Sequence, residues 1–258
     1  MLDNLSNACH WGESISGRPN SAVPMRLNHG ETDSHGEWLA ERHAPLFSGI
    51  LPGDASRICA AARIKTFARG EMLFVEGGPV DQVLLLSAGI VKITQLGLSG
   101  MEVIFRFAVR GDVLDAANVS ADARRCSTAE ALRTCQVLTW DASTFKAVVE
   151  RFPVLSRNMV RILGRDLLEL EERFREVATE RVALRVARQL VRLLEKIGRP
   201  VNGAIEIALS REDLAQMTGT TLYTVSRLLS AWEARGMVRP RREAVAVCDV
   251  KSLLAISE

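Results

Sequence analysis

The chain has 258 residues, of which 47% are hydrophobic and 25% charged, and its formal net charge is +2. This length and hydrophobic content accommodate two compact domains, whereas so small a net charge does not by itself indicate a nucleic-acid partner. No apolar run approaches the ~20 residues of a membrane span, and an odd number of cysteines without a C-x-x-C pair is typical of reduced thiols, so we expect a cytoplasmic protein without a membrane segment.

The N-terminal segment, residues 1–44, is polar and rich in Gly, Ser, Asn and His, with little periodicity. Such a composition is typical of a flexible leader. The segment contains Cys9 and the four histidines His10, His29, His35 and His43, but their spacing matches no metal-ligand motif. We therefore predict no metal site there, while haem stays open as a cofactor.

Residues 45–152 form the next predicted domain, in which short β-type runs are separated by glycines. Short strands with turns at such intervals favour an antiparallel sandwich or jelly roll. The predicted strands are Met72 to Val75, Val83 to Ser87, Ile90 to Thr94, Val103 to Phe107 and Val137 to Trp140.

A long amphipathic helix is predicted over residues 153–178. Pro153 suits a first helical turn, and apolar residues then recur at spacings of four and three. The narrow seam and its charged flanks favour a coiled-coil-like contact between two copies; the alternative is a helix packed only on its own β-domain. The predicted dimer interface comprises Met159, Leu163, Leu167, Leu170, Phe174 and Val177.

Residues 179–258 form the last predicted domain, in which 13 basic residues outnumber 9 acidic ones. A helix over Val182 to Ile197 comes first. Two shorter helices follow: Ser210 caps the first, Gly219 ends it in a sharp turn, and Thr220 or Thr221 caps the second. Two short helices around a tight turn are typical of a helix-turn-helix.

The second of these short helices has two different faces. One is an apolar stripe predicted to pack on the domain core, made of Leu222, Val225, Leu228, Leu229 and Trp232. The other carries hydrogen-bonding side chains, of which Tyr223, Ser226 and Arg227 are the predicted base contacts. The N-terminal part of a recognition helix usually meets base edges, and Arg227 is the strongest candidate for recognising guanine; an internal ion pair is its alternative role.

Residues 237–249 contain two apolar runs around a basic, proline-containing turn, which predicts a β-hairpin wing. Basic side chains at such a tip suit phosphate contacts, although a solvated turn has the same pattern. The predicted contacts to the DNA backbone are Ser210, Arg211, Thr220, Thr221, Thr224, Arg239, Arg241 and Arg242.

The succession of β-roll, long helix and winged helix-turn-helix resembles the CRP/FNR superfamily of bacterial transcription regulators, from about residue 45 to the end. Residues 69–77 (RGEMLFVEG) are similar to the opening hairpin of the family's sensor roll, residues 86–93 (LSAGIVKI) to its next strand pair, and residues 111–114 (GDVL) to its central turn. Residues 224–229 (TVSRLL) are similar to the recognition helix of the FNR branch. The resemblance implies an α+β fold with an N-terminal cyclic-nucleotide-binding-like β-roll, a long dimerisation helix and a C-terminal winged helix-turn-helix.

The resemblance also implies a mode of DNA binding. Dimers of this family place two recognition helices in successive major grooves of double-stranded DNA, on an inverted repeat with half-sites ~34 Å apart. Tyr223, Ser226 and Arg227 occupy positions at which family members contact bases, and Tyr223 replaces the usual glutamate. A phenol does not accept a hydrogen bond from cytosine as a carboxylate does, so we expect a different half-site. RNA polymerase is the further partner that the resemblance implies.

The resemblance places an effector pocket in the roll, at Asp115, Ala116, Arg124, Arg125 and Cys126. Cyclic-nucleotide binders of the family carry Gly-Glu and Arg-Ser where this chain has Asp115-Ala116 and Arg125-Cys126. Because the glutamate is missing and an acidic group would face the phosphate, cyclic AMP is disfavoured.

An iron-sulfur cluster is also disfavoured, because the FNR branch needs clustered N-terminal cysteines and this leader offers only Cys9. Thiol chemistry stays open at Cys126, which follows two arginines, and at Cys135; the alternative for both is an unreactive, packed thiol.

We therefore predict a homodimeric, DNA-binding transcription regulator whose roll senses an unidentified signal and whose long helix transmits it. One alternative is a DNA binder that needs no effector. Another is a regulatory module that acts on a partner protein through its winged helix. An enzyme is not expected, because the chain shows no nucleophile, base and orienting group at motif spacing.

Overall fold

The computed structural model of the chain describes residues 44–98, 100–114 and 123–257, so the predicted leader up to residue 43, Asp115 and Ala116 lie outside the described residues. Two antiparallel four-stranded sheets form the N-terminal roll. The strand order is β1-β8-β3-β6 in the first sheet and β2-β7-β4-β5 in the second. These strands are β1 (Arg63–Phe67), β2 (Met72–Phe74), β3 (Gln82–Ala88), β4 (Ile90–Leu96), β5 (Glu102–Val109), β6 (Val113–Leu114), β7 (Thr128–Ala131) and β8 (Cys135–Asp141).

Strand β3 is buried on both faces, which explains its nearly continuous apolar sequence, QVLLLSA. Leu84 and Leu86 belong to the core between the two sheets, whereas Val83 and Leu85 belong to a cluster on the outer side of the first sheet. A strand buried on both faces loses the usual alternation of apolar and polar residues. The outer side of this sheet is therefore a second packing surface.

Helices cover that outer surface. They are α1 (Pro52–Ala60), α2 (Ala142–Arg151) and the beginning of the long helix α3 (Pro153–Thr179). Buried Asn158 of α3 donates hydrogen bonds through Nδ2 to the carbonyls of Leu46 and Ser48, both at 2.8 Å. These bonds anchor the first turns of α3 to the roll, and from Leu163 onward most of the helix is exposed.

The long helix meets α4 (Val182–Ile197) at a short junction that ion pairs hold together. Glu176 of α3 is only 3% exposed and accepts hydrogen bonds from both terminal nitrogens of Arg192. Glu180 in the junction pairs with Arg188 Nη1 at 2.5 Å. A buried carboxylate loses its hydration and needs such partners, so these pairs favour one arrangement of the two helices.

The C-terminal domain contains three further helices and a small antiparallel sheet of order β11-β12-β10-β9. Val186 and Leu190 of α4 share its apolar core with residues of the later helices. The elements are β9 (Arg199–Val201), β10 (Ala204–Ile207), α5 (Arg211–Thr218), α6 (Leu222–Ala234), β11 (Val238–Pro240), β12 (Val245–Val247) and α7 (Val250–Ser257).

The C-terminal domain packs on the roll through α5 and β5. Ile104 and Phe107 of β5 are buried in the same apolar cluster as Leu214 of α5. Beside them, Lys92 forms ion pairs with Glu102 and Glu130 at 3.4 and 3.2 Å. Burial lowers the pKa of Lys92, but these carboxylates outweigh burial and raise its pKa overall. The apolar cluster therefore joins the two domains, whereas the ion pairs of Lys92 lie within the roll.

The structure confirms the α+β class, the antiparallel roll, the long helix and the winged helix-turn-helix. All five predicted strands are present, with ends that differ from the predicted ones by up to two residues. Helices α1, α2 and α7 were not predicted, because no combination of side-chain cap and glycine turn was recognised at their ends, unlike at those of the similarly short α5. No helix in the described ranges is long and apolar enough to cross a bilayer.

Candidate nucleic-acid interface

Side-chain caps define both helices of the helix-turn-helix. Ser210 Oγ accepts a hydrogen bond from the Asp213 amide at 3.0 Å, and the Asp213 carboxylate accepts one from the Ser210 amide at 3.0 Å. Gly219 ends α5 with φ of 59°, a left-handed conformation that glycine adopts without strain. Thr221 then caps α6 by accepting from the Thr224 amide at 3.2 Å. The predicted boundaries of the two helices are thus confirmed.

Arg185 of α4 holds the turn between the two helices in place. It is 8% exposed, and its guanidinium donates to the carbonyls of Glu180 at 2.8 Å, Thr218 at 3.2 Å and Gly219 at 3.5 Å. One side chain therefore joins the end of the long helix to the turn that orients α6. Sequence reasoning missed this residue, although an arginine among the apolar residues of α4 is a signal of such a role.

We expect Arg185→Ala to loosen the helix-turn-helix, because three carbonyls lose their donor at once. The cost for buried acceptors is about 2–3 kcal/mol, so amide hydrogen exchange in α5 and α6 should become about 30- to 150-fold faster. Hydrogen exchange measured by mass spectrometry checks this, with exposed Arg181→Ala as the matched control. Equal exchange in the two variants would contradict the role assigned to Arg185.

The first turns of α6 present side chains that the domain does not use. Tyr223 is 76% exposed, Arg227 is exposed and Ser226 is half-buried. Within the described residues Arg227 has no hydrogen bond or ion pair, so its alternative role in an internal ion pair is not observed. Leu222 differs from its prediction: it is 49% exposed rather than packed in the apolar stripe, while Val225, Leu229 and Trp232 are buried as predicted.

The wing and the helix caps place the other predicted DNA contacts in different environments. Arg239 and Arg242 are exposed, whereas Arg241 Nη1 bonds to Glu206 at 2.7 Å. Arg211 is half-buried, as are Thr220 and Thr224. The Ser210 hydroxyl is engaged by the carboxylate of Asp213 at 2.7 Å. Arg239 and Arg242 are therefore the tip arginines most available to a phosphate.

The seam of the long helix lies uncovered along its exposed part. Leu163, Leu167, Leu170, Phe174 and Val177 are between 39% and 75% exposed. Met159 instead packs against the apolar cluster at the base of the roll, and Val160, which is 67% exposed, continues the spacing of the seam. From here on, "the α3 seam" denotes these six exposed apolar residues, Val160, Leu163, Leu167, Leu170, Phe174 and Val177.

Comparison with known proteins agrees with both halves of this architecture. The profile of a cyclic nucleotide-binding domain matches residues 64–152, and that of a Crp-like helix-turn-helix domain matches residues 184–256. The chain belongs to the CRP/FNR superfamily. It is a transcription regulator with a helix-turn-helix DNA-binding domain and a cyclic-nucleotide-binding-like sensory domain. Members of this superfamily bind DNA and dimerise; they are regulators rather than enzymes.

Individual CRP/FNR proteins resemble the chain over most of its length. The CRP-like cAMP-activated global transcriptional regulator of Mycobacterium tuberculosis is 25% identical over 212 residues, covering 81% of this chain and 95% of its own. The cyclic AMP receptor protein of Thermus thermophilus is 24% identical over 196 residues, 76% of this chain and 88% of its own. The structure of FixK2 from Bradyrhizobium japonicum superposes with a TM-score of 0.66 at 22% identity, covering 76% of this chain and 98% of its own, and so shares the fold.

In this CRP/FNR roll, Arg125 of the predicted effector pocket is tied to the protein itself. It is 5% exposed, and it donates to the carbonyls of Pro79 at 3.2 Å and Gln82 at 3.3 Å. Its guanidinium also lies 3.6 Å from Asp81 and stacks 4.1 Å from the centre of the Phe74 ring.

The other residues of the predicted effector pocket are exposed or lie outside the described residues. Arg124 is exposed and bonds to the carbonyl of Gly77 at 3.2 Å, and Cys126 is exposed. Asp115 and Ala116 lie outside the described residues. Among the residues described, no cluster of three or more His, Cys, Asp or Glu side chains is arranged to hold a metal ion.

The cysteines of this CRP/FNR protein differ in accessibility. Burial raises the pKa of the Cys135 thiol to about 11, with Glu71 adding to the effect, and raises that of Cys59 to about 12. Cys126 and Cys248 are exposed. For Cys135, burial and the raised pKa agree with the alternative of an unreactive, packed thiol rather than with thiol chemistry.

We expect maleimide labelling of the native protein at pH 7.5 to modify Cys126 and Cys248 and to spare Cys59 and Cys135. A thiol reacts as the thiolate, so the raised pKa values alone should slow the buried pair by more than about 100-fold. Peptide mapping by mass spectrometry measures the rates, and urea-unfolded protein, in which all sites react, is the control. Rapid labelling of Cys135 in the native state would contradict its assignment to the core.

Proposed function

We propose that the protein acts in the cytoplasm as a homodimer that recognises an inverted-repeat operator in double-stranded DNA. The observation that carries this proposal is the N-terminal face of α6, where Tyr223 and Arg227 project from a capped helix without partners in the described chain. Side chains left free at this part of a recognition helix are those that can reach base edges.

The base contacts are Tyr223, Ser226 and Arg227, with Leu222 beside them. Arg227 binds guanine through its two-pronged guanidinium, and Leu222 offers an apolar surface to a thymine methyl group. Arg239 and Arg242 of the wing contact phosphates, which adds affinity without sequence information. The other contacts to the backbone come from Ser210, Arg211, Thr220, Thr221, Thr224 and Arg241.

Dimerisation through the α3 seam aligns the two recognition helices. The seam exposes six large apolar residues at spacings of three and four, a pattern that pairs with a second copy of itself. Two recognition helices ~34 Å apart then contact successive major grooves. RNA polymerase is the protein partner through which the bound dimer acts on transcription.

Signal control works through a shift between arrangements of the two domains. An effector that binds the DNA-competent arrangement better raises its population. Cyclic AMP is disfavoured as this effector, because Arg125, the residue expected to meet its phosphate, is already held by carbonyls and by Asp81. The same observation favours, as a second candidate, a DNA binder that needs no effector in the roll.

Selection of duplexes from a random pool by the purified protein tests the proposal. We expect enrichment of an inverted repeat with half-sites about 34 Å apart, and an affinity that falls linearly with salt on a log-log plot. Titration with and without cyclic AMP in the same buffer should give the same affinity. Failure to enrich any duplex would favour a module that regulates a partner protein instead.

A further inference from the structure

A cleft of about 360 Å³ opens where the roll, the long helix and the DNA-binding domain meet. Its walls come from β5, α3, α4 and α5, so every major part of the described protein contributes to it. It is separate from the predicted effector pocket, since neither Arg124 nor Arg125 lines it. This volume lies within the range of small-molecule sites.

Cations dominate the polar part of the cleft. Four basic and two acidic side chains line it, the basic ones being Arg106, Arg173, Arg192 and Lys196. Glu169 is one of the acids, and it is neutralised by Arg173 of the same helix. Arg192 is likewise bonded through both terminal nitrogens to Glu176, so Arg106 and Lys196 are the two lining cations whose charge is least satisfied.

Two of these cations converge on one oxygen from different domains. Arg106 Nη1 of β5 lies 3.6 Å from Asp112 Oδ2, and Lys196 Nζ of α4 lies 3.7 Å from the same atom. Both distances exceed those of a hydrogen bond. Within the described residues, the Lys196 amine has no hydrogen-bond partner.

A backbone contact also holds the carboxylate of Asp112. The same Oδ2 atom accepts a hydrogen bond from the Val109 amide at 3.0 Å, which fixes the carboxylate to the turn after β5. Arg106 Nη2 already donates to the carbonyl of Val113 at 3.3 Å, so Arg106 Nη1 and Lys196 Nζ are the two nitrogens open to an additional oxygen acceptor. Charge-assisted hydrogen bonds from both cations would bind a carboxylate or phosphate group there.

The remainder of the cleft is apolar. Phe107 and Leu193, 1% and 2% exposed, form its base, and half-buried Met217 of α5 closes one side. A ring or short aliphatic chain would find its contacts on this base. We propose that the cleft binds a small organic anion whose carboxylate or phosphate group lies between Arg106 and Lys196 and whose apolar body covers Phe107 and Leu193.

Such a ligand would couple the sensor roll to the DNA-binding domain, because it touches β5 on one side and α4 and α5 on the other. Because the ligand binds better when the two domains are packed together, its binding stabilises that packing by the same difference in free energy. That such a ligand acts as the signal of a transcription regulator rests on the function proposed above. Binding of the ligand itself is measured without DNA.

Isothermal titration of the full-length protein with phenyl phosphate and with benzoate tests the site, and phenol serves as the uncharged control. We expect one site per chain with a Kd of about 1 mM for at least one of the two anions, as is usual for ligands of this size, and no saturable binding of phenol. The anion that binds more tightly identifies the preferred acidic group.

Matched variants locate the binding. Lys196→Gln and Arg106→Gln should each weaken it by about 10-fold or more, while Arg124→Gln, in the other pocket, should leave it unchanged within about 2-fold. Absence of saturable binding of both anions up to about 20 mM, or equal binding in the Lys196→Gln, Arg106→Gln and wild-type proteins, overturns the proposal. Duplex binding by the unliganded protein is scored separately, so the two proposals fail independently.

Discussion

Replacing Arg227 by alanine is expected to weaken specific operator binding strongly while leaving the fold intact. Its side chain is exposed and makes no hydrogen bond or ion pair in the described part of the chain, so its removal costs the domain little. Each bidentate arginine–guanine contact contributes about 1–3 kcal/mol of discrimination, and a dimer makes the contact twice. The affinity for the selected operator should therefore fall by about 30-fold at least, with much smaller loss on random DNA.

Two further variants separate base recognition from charge. Arg235→Ala removes an exposed arginine at the C-terminal end of the same helix and should lower operator affinity by less than about 3-fold. Arg227→Lys keeps the charge but loses the planar fork, and it should bind nearly as poorly as Arg227→Ala. Fluorescence anisotropy with operator and scrambled duplexes measures all three. Equal losses for Arg227→Ala and Arg235→Ala would show that Arg227 contributes only charge.

The helix-turn-helix was predictable from sequence because its determinants are local. Ser210 and Asp213 are three residues apart in the capping box, and Gly219 ends the helix that they begin. Caps, turns and periodic apolar residues act over one or two helical turns, which is the range over which sequence patterns carry structural information.

Long-range contacts account for what the sequence could not show. Arg125 matches the family's cationic position, but its carbonyl partners Pro79 and Gln82 are 46 and 43 residues earlier in the chain. The packing of α5 on β5 likewise brings together segments separated by about a hundred residues, and nothing local to either segment indicates it. The interdomain cleft is a consequence of that packing, so no motif marks it.

Two residues of the predicted apolar stripes differ from their predicted environments, and the cause is the same for both. Leu222 and Met159 both fit a helical period, yet Leu222 is half exposed and Met159 packs on the roll. Periodicity predicts which residues share a helix face, but not where along the helix a neighbouring surface begins or ends. On α6 the domain core begins after the first turn, and on α3 the roll extends one turn further than expected.

An unpaired charge at the centre of the α3 seam should convert the protein into monomers. Leu167 is 56% exposed in the single chain, so Leu167→Asp leaves the monomer fold undisturbed but would bury a carboxylate in the proposed dimer. Sedimentation velocity should show a monomer at concentrations at which the wild type is a dimer. Circular dichroism should be unchanged.

Loss of the dimer should then remove most operator affinity. Two linked recognition helices bind an inverted repeat about 10²- to 10⁴-fold more tightly than one, because the linkage raises the effective concentration of the second helix at its half-site. Leu167→Asp should therefore weaken binding to the full operator by about 100-fold or more and binding to an isolated half-site hardly at all. Leu51→Asp, which introduces the same change at a leucine that is 70% exposed outside the seam, should remain dimeric and bind normally. A Leu167→Asp protein that is monomeric but binds the operator with wild-type affinity would contradict this prediction. Pairing of the two α3 helices would then contribute nothing to recognition, and the single chain would be the DNA-binding unit.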